Sequence, residues 1–149
     1  MQFQLDCEVA TRCHPSDLWE IFSRIEEWKD WSGVFGQAGW IHGKPWEQGS
    51  RFFREMLFPC RIDFEVVVLK CDAPNHVVLL SHGGGLAAEQ WLAFVPDGED
   101  ITLIRNEETV VGTPQVTMPE LRTLLKQFYE NWFDNLKAQA EKPCSPVAL

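Results

Sequence analysis

The chain has 149 residues, 45% of them hydrophobic, with a formal net charge of -9. That length buries about two thirds of the unfolded surface as one domain, read here as residues 1–142. The negative charge opposes nucleic-acid phosphates and anionic membrane surfaces, so no nucleic-acid partner is expected. Met1 to Thr11 lacks the basic flank and unbroken apolar run of a signal peptide or membrane anchor. The expectation is a cytoplasmic protein with no integral membrane association.

Phe3, Leu5, Cys7 and Val9 alternate with Gln4, Asp6 and Glu8, which predicts a first strand over Gln2 to Thr11 with one buried face. Pro15, Ser16 and Asp17 mark a helix start with Ser16 as N-cap, and Leu18, Trp19, Phe22 and Ile25 supply its apolar face. A second short helix is predicted from Glu26 to Trp31. Six glycines and prolines between Gly33 and Gly49 allow at most a short strand around Ala38 to His42, and make this the expected mobile region.

Four strands of a meander follow: Ser50 to Leu57, Arg61 to Asp72, His76 to His82, and Leu86 to Val95. Phe58-Pro59, Ala73-Pro74-Asn75, Gly83-Gly84-Gly85 and Pro96-Asp97-Gly98 separate them. Asp100 to Val111 is the last strand. Leu121, Leu125, Phe128, Trp132 and Leu136 then recur at helical spacing, which predicts one long helix over Pro119 to Lys142 covering the sheet. Pro143 and Pro146 end it in a flexible tail, 143–149.

Cys7, Cys13, Cys60, Cys71 and Cys144 are odd in number and scattered, so no disulfide framework is expected. His14, His42, His76 and His82 are equally dispersed, without the ligand spacing of a structural zinc site, so no metal site is expected; no cofactor is expected either. No Gly-x-Ser-x-Gly, His-Glu-x-x-His, phosphate-loop or dinucleotide pattern is present, so common hydrolase, zinc-peptidase and nucleotide chemistries lack local support.

The order β-α-α-β-β-β-β-β-β-α, with Leu18-Trp19, the Trp28 to Trp31 pair, the turn Gly43-Lys44-Pro45-Trp46-Glu47-Gln48-Gly49-Ser50-Arg51-Phe52 and the long last helix, resembles the START-like or Bet v 1-like (SRPBCC) superfamily. Polyketide cyclase/dehydrase, lipid-transport and chaperone-regulator relatives belong to it. The resemblance implies an α+β helix-grip fold: a curved antiparallel sheet of six or seven strands wraps a long C-terminal helix, with a hydrophobic cavity between them.

Within such a fold, Ile62, Phe64, Val66 and Val68 make the better inner face of their strand, because Asp63 and Glu65 occupy the other. Periodicity leaves Phe52, Arg54 and Met56 against Phe53, Glu55 and Leu57 undecided, and Gln90, Leu92 and Phe94 against Trp91, Ala93 and Val95. On the last strand Ile101, Leu103, Arg105 and Glu107 share one parity. Arg105 and Glu107 then either orient a ligand's polar end inside an apolar pocket or form an exposed cross-strand charge pair. The candidate ligand-binding residues are Phe64, Trp91, Arg105, Glu107, Phe128 and Trp132; His82, Arg105 and Glu107 are the candidate acid/base residues.

The leading expectation is binding of a small hydrophobic or amphipathic molecule, lipid-, polyketide- or aromatic-like, by a monomer or homodimer. The alternatives are a polyketide cyclase/dehydratase-like enzyme, in which pocket polar groups move protons, and a chaperone-regulator-like interaction module.

Overall fold

The computed structural model describes residues 2–113 and 120–142. Seven strands form one sheet: β1 (Gln2–Thr11), β2 (Phe35–His42), β3 (Arg51–Met56), β4 (Ile62–Asp72), β5 (His76–Gly83), β6 (Leu86–Pro96) and β7 (Thr102–Gly112). The sheet order is β1-β7-β6-β5-β4-β3-β2, antiparallel throughout. From β2 to β7 each strand pairs with its neighbour in sequence, and β1 joins the far edge beside β7. The helices are α1 (Pro15–Phe22), α2 (Trp28–Trp31), preceded by a 3-10 turn at Ile25–Glu27, and α3 (Leu121–Ala140). The curved sheet carries α3 on its inner face, the helix-grip arrangement.

Several local expectations are corrected. The N-cap of α1 is His14, not Ser16, because Pro15 lacks an N–H and is pre-set for the first helical position. The His14 N–H donates to Asp17 Oδ2 at 3.1 Å, which ties the entry to the first turn. The segment Glu26 to Trp31 is divided between the 3-10 turn and α2.

The glycine-rich segment also holds more strand than its composition predicts. Gly36 and Gly39 do not break β2; they let β3 side chains lie across the edge strand. A Cβ on Gly36 would stand 2.7 Å from Glu55 Oε1, and one on Gly39 3.0 Å from the Phe53 ring. Glu55 Oε1 in turn accepts the Gln37 N–H at 2.7 Å. The expected tail, 143–149, lies outside the described residues.

Alternation fixes the inner face. Ile62, Phe64, Val66 and Val68 are buried on β4 while Asp63 and Glu65 are exposed, as the pattern predicts. A bulge at Leu69 then shifts the parity, so that Cys71 packs against the core and Lys70 is exposed. From α3, Leu121, Leu125, Phe128, Trp132 and Leu136 are buried, joined by Tyr129 and Phe133. Trp132 is fully buried at the centre of an aromatic cluster. Its ring lies 4.8 Å from that of Phe35, 5.1 Å from Trp28 and 5.8 Å from Phe22, centroid to centroid. Much of the space between sheet and helix is therefore occupied by aromatic side chains.

Candidate functional site

One charged residue breaks the apolar inner face of β3. Arg54 alternates with Phe52 and Met56, both buried, and is itself only 4% exposed. Its Nη2 donates to Ser81 Oγ on β5 at 3.2 Å, while Nε and Nη1 have no hydrogen-bond partner. The guanidinium carbon sits 5.2 Å from the Phe35 ring, 5.7 Å from Trp132 and 6.0 Å from Phe64. Such faces contribute about 0.5–2 kcal/mol each to holding a cation, which offsets part of the several kcal/mol that desolvating it costs.

Glu108 supplies the opposite charge from β7. It is buried, and Tyr129 on α3 donates its hydroxyl to Glu108 Oε2. Arg54 and Glu108 are not in direct ion-pair contact; both, with Ser81 and Tyr129, line one internal cavity of about 30 Å³. Phe35, Phe64, Leu125 and Phe128 form part of its apolar wall. That volume admits a water-sized group, well below the roughly 300–1,000 Å³ of a typical ligand pocket.

Burial dominates the electrostatics. It pushes the Glu108 carboxyl up to about 8, against the opposing pull of the Arg54 charge. It brings Arg54 down to about 10, with Glu108 acting in the other direction. Burial thus favours the protonated, neutral form of the Glu108 carboxyl, while Arg54 stays in the range where a guanidinium is charged at neutral pH. Beside Glu108 in register, Gln90 on β6 donates to Asn106 Oδ1 at 2.7 Å. Gln90 Oε1, Asn106 Nδ2 and Trp132 Nε1 are buried without partners, so unpaired polar atoms concentrate on this side of the sheet.

Of the residues singled out in the sequence, the structure brings Phe64, Phe128 and Trp132 to the interior. It does not bring Trp91, Arg105, Glu107 or His82 there. The parity that would turn Arg105 and Glu107 inward is reversed: Thr102, Ile104, Asn106, Glu108 and Val110 are the buried set of β7. Arg105 Nε instead meets Glu8 Oε2 at 2.9 Å on the outer surface. Trp91, 52% exposed, donates its indole N–H to Glu89 Oε1 at 3.1 Å. Trp91, Arg105 and Glu107 border an open depression of about 510 Å³ on the outer face. His82 is exposed, opposite Glu65 of β4.

Periodicity does not single out Ser81, Glu108 or Tyr129, and it leaves the direction of Arg54 open. The signal for Arg54 and Glu108 was their shared parity with Phe52 and Met56 and with Ile104 and Val110. Tyr129, the one tyrosine of the chain, lies four residues from both Leu125 and Phe133. Among the described residues no group of three or more His, Cys, Asp or Glu side chains is arranged to hold a metal, and no helix is long and apolar enough to cross a membrane.

No family model matches the chain, and no curated protein matches its sequence. Solved structures do match along nearly the whole length. A START superfamily protein from Mycobacterium smegmatis is 17% identical with a TM-score of 0.79, over 93% of this chain and 97% of that one. The Zhui aromatase/cyclase from a Streptomyces species is 7% identical with a TM-score of 0.83, over 99% of both chains. A truncated norcoclaurine synthase from Thalictrum flavum is 13% identical with a TM-score of 0.72, over 97% of this chain and 96% of that one. At these identities the likeness is one of fold: the chain has the START/Bet v 1-like helix-grip fold.

Proposed function

With a START/Bet v 1-like fold as its frame, we propose that this protein binds a small hydrophobic or amphipathic molecule between the sheet and α3. The ligand's polar end meets Arg54 and Ser81, and its apolar body lies against Phe35, Phe64, Leu125 and Phe128. The observation that carries this reading is Arg54, a buried cation with two unpartnered nitrogens beside an internal cavity. A residue serving stability alone would be expected to have its charge paired, since replacing a buried charge by an apolar side chain is often stabilising. Ligand entry requires the interior to expand; the Phe35 and Phe128 rings, in edge contact at 5.3 Å, both border the cavity. Trp91, Arg105, Glu107 and His82 have no part in this reading.

Native mass spectra of gently purified protein, with a denatured control, are expected to show an adduct that is released on unfolding. A clean mass, together with no binding of fatty acids or aromatic acids in fluorescence titrations, would overturn the reading.

A second reading, proton-transfer catalysis of the cyclase/dehydratase kind, is favoured by Glu108. A carboxyl that titrates near 8, accepts a hydrogen bond from Tyr129 and shares a cavity with Arg54 is suited to exchange protons with a carbonyl compound at neutral pH. Here Arg54 holds the carbonyl oxygen while Glu108 delivers or removes the proton. Glu108→Gln would then abolish turnover of a poly-β-carbonyl thioester and retain its binding; unchanged turnover would remove Glu108 from any such chemistry.

A further inference from the structure

We propose that the interior site selects ligands bearing one carboxylate-like anionic group, and that this group becomes the contact counter-charge of Arg54 while Glu108 is protonated, so that binding at alkaline pH is coupled to protonation of Glu108. The inference rests on the reading above and specifies its ligand class.

Geometry carries it. Arg54 spends one nitrogen on Ser81 and leaves Nε and Nη1 unpartnered, although it is almost wholly buried. A guanidinium in that state is matched by an oxygen acid, whose two oxygens accept from neighbouring N–H groups. Glu108 does not fill the role. It is fixed to β7, its Oε2 is engaged by Tyr129, and it stands beyond ion-pair contact with Arg54 across the shared cavity. A ligand that enters the cavity is not so tethered and can close the distance. Coulomb attraction grows steeply at short range in a poorly solvated interior, so a contact anion displaces a distant one.

Two buried anions cannot share one cation cheaply. When the ligand's charge arrives, Glu108 must be neutral, either already protonated or taking up one proton from solvent. Among the described residues the charged or titratable groups facing Glu108 are Arg54 from β3 and Tyr129 from α3; β1 and β6 present Leu5 and Gln90 at the paired positions. Below the Glu108 titration, which burial raises to about 8, the site is prepared for an anion, and binding of a ligand ionised throughout that range, as a sulfonate is, does not vary with pH. Above it, affinity falls by up to about tenfold per pH unit, because each binding event then carries a proton with it. A neutral ligand shows no such fall.

The test is a fluorescence titration with two probes that share their rings: anilinonaphthalene sulfonate, whose sulfonate stands in for a carboxylate, and the uncharged phenylnaphthylamine. Wild type is expected to bind the sulfonate at least about tenfold more tightly than the neutral probe at pH about 6.5, and to lose most of that preference by pH about 9. Arg54→Met should abolish the preference at both pH values, Arg54→Lys should retain part of it, and Glu108→Gln should keep it at both. Circular dichroism of each variant checks that the fold is intact; Arg54→Met replaces a buried charge with an apolar side chain of similar length, a change that buried sites often tolerate. Equal affinity for the two probes, or a preference that survives Arg54→Met, would overturn the anion site while leaving hydrophobic binding in place. Binding of neither probe would overturn both.

Discussion

Trp132→Ala is expected to lower the stability of the fold by about 3–5 kcal/mol, the range for a fully buried tryptophan truncated in a core that relaxes only partly. The side chain has no solvent exposure, and its ring meets Phe22, Trp28, Phe35, Phe128, Tyr129 and Phe133. These partners come from α1, α2, β2 and α3 itself, so the indole joins the two short helices and the edge strand to the long helix. Total stability for a domain is commonly about 5–15 kcal/mol, so the loss would consume a large part of it. Urea denaturation monitored by far-ultraviolet circular dichroism measures it as a shift of midpoint at unchanged slope. A loss below about 1 kcal/mol would show that the aromatic cluster is not tightly packed. For the same reason Trp132→Ala is a poor probe of ligand binding, and Arg54 is the better one.

The second large effect is a dependence of stability on pH that resides in one buried carboxyl. Glu108 titrates near 8 in the folded protein against an ordinary value of 4.5, so the folded state holds its proton where the unfolded state has released it. The sign follows: this group's contribution is fully present below about 4.5, declines as pH rises, and is gone above about 8. Arg54 adds no slope in this window, because it stays charged in both states until pH approaches 10. Glu108→Gln keeps the shape and removes the titration. The stability difference between wild type and Glu108→Gln is therefore expected to shift against wild type by on the order of 3 kcal/mol between pH 5 and 8. Urea midpoints at several pH values give that difference; a gap independent of pH would mean that Glu108 is solvated or directly paired in solution.

How far the sequence reached depended on the kind of signal each residue sends. Phe64, Phe128 and Trp132 were legible because an apolar residue repeated at the period of its element has one energetically sensible direction. Arg54 was not, since β3 is apolar on both parities: Phe53 is 39% exposed and Leu57, just beyond the strand, 51%. Glu108 was hidden by a boundary. Ile101 lies outside β7, which begins at Thr102, so counting it as a strand residue favoured the face bearing Arg105 and Glu107. On β6 the inward set contains Gln90 and the outward set Trp91, an inversion that hydrophobicity does not predict and that the Gln90–Asn106 hydrogen bond makes tolerable. Tyr129 and Phe133 were missed because the apolar stripe of α3 is broader than its narrowest repeat. The fold was thus readable from alternation and element order, whereas the site consists of polar residues that violate the alternation.

The most direct test of the central claim, that the interior between sheet and α3 receives the ligand, is the location of a bound probe by nuclear magnetic resonance. Intermolecular contacts from anilinonaphthalene sulfonate to the methyl groups of Met56 and Leu125, which line the internal cavity, are the predicted result. Contacts confined to Ala93 and Val95, in the outer depression beside Trp91, would contradict it and move the binding site to the opposite face of the sheet.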